Sequence, residues 1–117
     1  MYGYIYLTYC SKTNKYYIGM HKFINKDFEY NSENHKYGFS YFDENGNPKF
    51  KIDSKYLGSG TLLKKAINKY GKQYFYILNI LDVGYTREEL CDLEVEWIRY
   101  YKDHGYELYN IADGGKR

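Results

Sequence analysis

The sequence is short of most features that announce a function. It has two cysteines, Cys10 and Cys91, far apart and without metal-ligand spacing. They read as reduced thiols, not a disulfide. Histidine and cysteine are scattered, which argues against a zinc site. The carboxylates in Asp43-Glu44-Asn45-Gly46-Asn47 have the wrong spacing for a calcium loop. No apolar run approaches the ~18 residues of a membrane span, so no membrane contact is expected. The opening MYGYIYLTYCSK has neither a basic n-region nor a cleavage site, so no signal peptide is expected and the expected compartment is cytoplasmic. A net charge of +2 is too small to announce nucleic acid by itself. The single proline, Pro48, sits in a turn cluster, and no repeat or interdomain linker is visible. At 117 residues and 44% hydrophobic content, residues 1–117 read as one globular domain.

What is abundant is tyrosine, with 18 residues, many of them alternating with Lys and Asn. A tyrosine offers flat apolar area with a polar tip. Basic residues interleaved with aromatics suit a surface that meets phosphates and stacked bases. Half-buried sheet positions and biased codon usage account for the same excess. An abundance of Lys, Asn, Tyr and Ile also fits an AT-rich genome such as a phage's.

The pattern predicts an antiparallel hairpin: a strand over Tyr4 to Tyr9, a turn at Ser11-Lys12-Thr13-Asn14, and a return over Tyr16 to Met20. A second, peripheral hairpin is predicted over Tyr41 to Ile52, around Asn45-Gly46-Asn47-Pro48. GSGTLLKKAINKYG (Gly58 to Gly71) reads as a helix, with Ser59 or Thr61 as its cap and Gly71 after its end. Its apolar stripe is Leu62, Leu63, Ala66, Ile67 and Tyr70, and Lys64, Lys65 and Lys69 fall toward the other face. The apolar run Phe75 to Val83 predicts a third strand in a central position. Thr86-Arg87-Glu88-Glu89 is a capping box that opens a helix to about Lys102. The tail holds a short extended piece, Tyr106 to Ile111.

One residue breaks the last helix's pattern. Leu90, Leu93, Trp97, Ile98 and Tyr101 share a face, and Glu94 lies on it. A carboxylate on a packed face needs a partner. Three readings are open: a pair with a buried Lys or His, a solvated place at the stripe's edge, or a metal ion in a cleft.

Taken together, the motifs resemble the GIY-YIG nuclease superfamily. Ile5-Tyr6 within Gly3-Tyr4-Ile5-Tyr6 matches its first motif and Tyr17-Ile18-Gly19 its second, with ten residues between the two tyrosines. Gly71, Glu94 before Trp97-Ile98, and Asn110-Ile111-Ala112 follow in the family's order. The form YIGMHK…YLGSGTLLKKAINKYG with a closing ADGG looks most like the phage homing-endonuclease branch. The resemblance implies an α+β fold, a three-stranded antiparallel sheet flanked by helices, here with an inserted hairpin region over about 23–55. It implies hydrolysis of DNA phosphodiesters with one divalent metal, Mg²⁺ or Mn²⁺, held by Glu94. Tyr6 would be the general base, Tyr17 would position water or phosphate, and Asn110 would support the site. The expected host is a phage or bacterial cell.

There is a departure from the family pattern. Most members carry an arginine after the second motif. By direct count that position is Asp27, and no arginine lies between Gly19 and Arg87. The cationic role moves by inference to His21 and Lys22. His35, in the insert, could fold over the site, and His104 reads as a helix C-terminal cap. Lys22, Lys64, Lys65 and Lys69 are the expected DNA contacts, with salt-sensitive binding. Such nucleases commonly carry a separate DNA-binding region after the catalytic domain. The chain stops at Arg117, so either that region is absent, or the chain is a fragment, or specificity comes from a homodimer or a separate partner. The alternative is an inactive module that keeps the fold and binds DNA or protein.

Overall fold

A computed structural model describes residues 2–22, 44–45 and 53–110. Strand β1 (Gly3–Cys10) and strand β2 (Lys15–Lys22) form the expected hairpin. Residues 11–14 turn the chain, and Asn14 takes φ 61, a left-handed conformation that asparagine tolerates better than most residues. Its backbone N–H bonds Cys10 O at 2.8 Å, and its side chain accepts from Tyr9 Oη at 2.6 Å. Helix α1 (Thr61–Tyr70) comes next, then a single 3₁₀ turn at Lys72–Tyr74, strand β3 (Phe75–Gly84) and helix α2 (Arg87–Asp103). The architecture is α+β, with one antiparallel sheet in the order β2-β1-β3.

That order corrects one expectation. Strand β1 is central and buried on both faces, and β3 is an edge, with Tyr76 and Leu78 about half exposed. The cause lies in the β1–β3 register. It shifts between Ile5 and Tyr6 and again between Leu7 and Thr8, so Leu81 and Leu78 are extra residues in β3. Two bulges break the period-2 alternation. The result in sequence is a mostly apolar run, which resembles a strand buried on both sides.

The sheet separates two cores. On one face Tyr4, Tyr6, Cys10 and Tyr17 pack with Leu57 and with Leu63 and Ala66 of α1. On the other face Ile5, Leu7 and Ile18 pack with Leu90 and Ile98 of α2. Leu62 departs from the expected α1 stripe and is 42% exposed. The expected α1 cap also fails. Gly60 is the N-cap and no side chain caps it. Gly71 ends the helix as expected, at φ 109, with its N–H bonded to Ile67 O. The α2 cap is as read: Thr86 accepts from Glu89 N at 3.0 Å. Glu89 reaches back one residue further than a capping box requires, to Tyr85 N. His104 closes α2 through Nδ1 against Tyr100 O at 2.8 Å.

Both cysteines are free thiols. Among the described residues, no helix is long and apolar enough to cross a membrane. The second hairpin, His35, Asp27 and most of the 23–55 insert lie outside the described residues.

Candidate active site

Alternation along the hairpin decides which side chains meet. Tyr4, Tyr6 and Thr8 of β1 share a face with Tyr17, Gly19 and His21 of β2. Gly19 is the cross-strand partner of Tyr6. A Cβ on Gly19 would lie 2.5 Å from Tyr6 Cζ and 3.0 Å from Tyr17 Cε2. The glycine is therefore required: its missing side chain is the space the Tyr6 phenol occupies. The two rings stand 6.3 Å apart between centroids.

Tyr17 is held from its other side by the approach to α1. Cβ atoms on Gly58 or Gly60 would lie 2.5 Å or 2.6 Å from its ring carbons. Gly58 has φ +137, a conformation that favours glycine. A Cβ on Gly60 would also lie 3.2 Å from the Tyr17 oxygen. The sequence gives Gly58, Ser59 and Gly60 a place in the family-like motif and in the helix start, but no contact with Tyr17. Two glycines flanking a serine are more than a cap requires, and that excess was the available signal.

Residues 53–60 are fastened over this face by three more contacts. Thr8 Oγ1 donates to Leu57 O at 2.7 Å. Tyr4 Oη accepts from Asp53 N at 3.1 Å. His21 Nε2 lies 3.7 Å from Asp53 Oδ2. Tyr56 stands edge-on to Tyr6 at 6.1 Å and stacks on His21 at 4.2 Å. Asp53, Tyr4 and Tyr56 had no site role in the sequence reading, because nothing local links Asp53 to a histidine 32 positions earlier.

Glu94 sits mid-stripe on α2, four residues from Leu90 and four from Ile98, and is 7% exposed. That excludes the solvated-edge reading. Its charge acts on both phenols. Burial pushes Tyr6 far above an ordinary phenol, and Tyr17, Tyr56 and Glu94 add to the shift. Tyr17 is raised chiefly by burial, then by Glu94 and Tyr56, while Ser59 and Gly60 work the other way. Two phenols held neutral beside a buried carboxylate form a site rich in hydroxyl donors.

No protein-family model, curated protein or solved structure matches the chain.

The remaining expected site residues are placed elsewhere. Lys22 is exposed, points to the opposite face of β2 and lies over the Tyr2 ring at 5.9 Å. It does not join the tyrosine cluster. Asn110 lies at the β2 edge, where Oδ1 accepts from Ile18 N at 3.0 Å and Nδ2 donates to Ile18 O at 2.8 Å. The chain before it pairs with β2 in parallel at Tyr16 and Leu108. Asn110 thus continues a short ladder with its side chain and fixes the backbone between Tyr17 and Gly19. Lys64, Lys65 and Lys69 are exposed on the outer side of α1.

Proposed function

We propose that this chain is a metal-dependent DNA endonuclease of the GIY-YIG type, hydrolysing phosphodiester bonds. The observation that carries the reading is the meeting of Tyr6 and Tyr17 at Gly19 with the Glu94 charge acting on both. Buried carboxylates are costly, and one kept at a phenol cluster is typical of a functional site.

A hard divalent ion, Mg²⁺ or Mn²⁺, fits this donor set. Among the described residues no group of three or more His, Cys, Asp or Glu side chains converges. Glu94 would therefore hold the ion with help from water and phosphate oxygens, the usual manner for Mg²⁺. When bound, the ion supplies charge stabilisation at the phosphate and the departing oxygen. The chain's own residues do the rest. Tyr17, whose phenol pKa burial raises above its ordinary value, would donate its O–H to a phosphate oxygen. Tyr6, held neutral, also serves as a donor. Lys64, Lys65 and Lys69 attract the DNA backbone.

The testing experiment is nicking of supercoiled plasmid with Mg²⁺, Mn²⁺ or EDTA, for the wild type and Glu94→Ala. Metal-dependent nicking that Glu94→Ala loses supports the reading. DNA binding without cleavage in any metal overturns it for plasmid DNA. That outcome would favour a second reading, an inactive binding module, which one observation supports: Lys22 points away from the cluster and no arginine precedes Arg87.

A further inference from the structure

Asp53-Ser54-Lys55-Tyr56 has the composition of a tight turn, with aspartate at its first position. The backbone closes as that pattern requires. Tyr56 N donates to Asp53 O at 3.0 Å, and Lys55 N donates to Asp53 Oδ1 at 3.2 Å. Ser54 and Lys55 are exposed, Tyr56 is part-buried, and Leu57 is buried in the core. The turn therefore leads the chain from solvent onto the sheet, with the Tyr56 ring at the point of contact.

Two side chains of β1 fasten this turn. Both stand on the Tyr6 face, one on either side of Tyr6, about 7 Å away along the strand. On one side, Tyr4 Oη accepts from Asp53 N at 3.1 Å. On the other, Thr8 Oγ1 donates to Leu57 O at 2.7 Å. Thr8 is 1% exposed. A buried hydroxyl is costly without a partner, and its partner here is a carbonyl 49 positions away. Tyr56 lies between the two fastenings. Its ring stands edge-on to Tyr6, at 6.1 Å and 77°, and lies on His21 at 4.2 Å with a 31° tilt. One ring thus touches a site residue from each of the two hairpin strands, and both contacts are made by the ring.

We propose that Tyr56 is a positioning residue of the site, its ring setting Tyr6 and His21, and that Thr8 holds it there through Leu57 O. The proposal rests on the nuclease reading above and deepens it. Groups that act on a phosphodiester must be held to within about 0.5 Å of their working geometry by packed neighbours. Tyr56 is such a neighbour for two of them. Neither Tyr56 nor Thr8 need touch DNA or exchange a proton. Without the Thr8 hydroxyl, the Leu57 carbonyl loses its donor and the turn keeps only its Tyr4 fastening, so the Tyr56 ring can shift across Tyr6. The role therefore requires a hydroxyl at position 8 and an aromatic ring at position 56.

The test is single-turnover nicking of supercoiled plasmid in Mg²⁺, with plasmid affinity measured beside it. The proteins are the wild type, Thr8→Val, Thr8→Ser, Tyr56→Ala and Tyr56→Phe. Thr8→Val and Tyr56→Ala are expected to lose up to ~10²-fold in cleavage rate, the scale of a misplaced group, and to bind plasmid as the wild type does. Thr8→Ser restores the hydroxyl and Tyr56→Phe restores the ring, so each is expected to recover most of that loss. Tyr56 is part-buried, so its two variants decide the matter even where Thr8→Val unfolds. With an active wild type, four results would overturn the proposal alone. They are a Tyr56→Ala rate equal to wild type, a folded Thr8→Val that cleaves at the wild-type rate, a Thr8→Ser loss as large as that of Thr8→Val, or a loss that lies in plasmid affinity instead of rate. A Tyr56→Phe rate as low as that of Tyr56→Ala would overturn it too, and would make the Tyr56 oxygen a substrate contact. A wild type that never nicks in metal overturns the nuclease reading and this proposal with it.

Discussion

At the scale of single residues, the site is organised around an absence. Gly19 has no Cβ, and the Tyr6 ring fills the space. Gly19→Ala is expected to destabilise the chain by about 1–3 kcal/mol, the usual cost of overpacking, and to displace Tyr6 from Tyr17. Thermal unfolding monitored by near-ultraviolet circular dichroism checks both. The Tyr6 phenol makes a second expectation. Its folded pKa is raised far above the ordinary 10.0, chiefly by burial. The protonated form is therefore favoured by folding. That contribution is fully present below pH 10 and is lost as the pH rises above it, when the unfolded chain releases a proton the folded chain keeps. Wild-type stability should fall above pH 10 more steeply than that of Tyr6→Phe, as denaturant titrations at several alkaline pH values would show. Tyr6, Tyr17 and Gly19 were legible as motif residues, and Glu94 as the residue that breaks its helix's pattern. Asp53 and Tyr56 were not, because their partners lie on strands distant in sequence.

At the scale of elements, local signals held wherever the chain satisfied itself locally. The first hairpin, the Thr86 cap, and the ends of α1 and α2 were all readable, since turn and cap chemistry acts within a few residues. The α1 start was misread because its neighbour is not local. A side chain at 60 would run into Tyr17, so the cap position is glycine in spite of two nearby hydroxyls. The edge position of β3 was hidden by its two bulges. The β2 edge offers the matching test. Asn110 makes two hydrogen bonds to the Ile18 backbone. At about 1 kcal/mol each, Asn110→Ala should cost roughly 1–3 kcal/mol. Its distinctive sign is local: hydrogen exchange at the Ile18 amide should speed up well before global unfolding. Exchange unchanged at Ile18 would show that Asn110 does not hold this edge.

At the scale of the whole molecule, the sheet places two different chemistries on its two faces. One carries the phenols, His21 and residues 53–60. The other packs the apolar stripe of α2, from which Glu94 acts on Tyr6 and Tyr17. The net charge of +2 is small, so DNA attraction falls to local lysines such as Lys64, Lys65 and Lys69. Replacing all three with glutamine should lower the slope of log affinity against log salt by up to ~3, near 0.9 per phosphate contact, and leave the cleavage step of bound DNA unchanged. The most direct measurement of the central claim is single-turnover nicking of plasmid at matched occupancy in Mg²⁺, comparing wild type with Glu94→Gln and Tyr17→Phe. The account expects wild type to nick only with metal, Glu94→Gln to lose at least ~10²-fold while staying as stable as wild type or more so, and Tyr17→Phe to fall between. Equal nicking by wild type and Glu94→Gln, or nicking that survives EDTA, would contradict it.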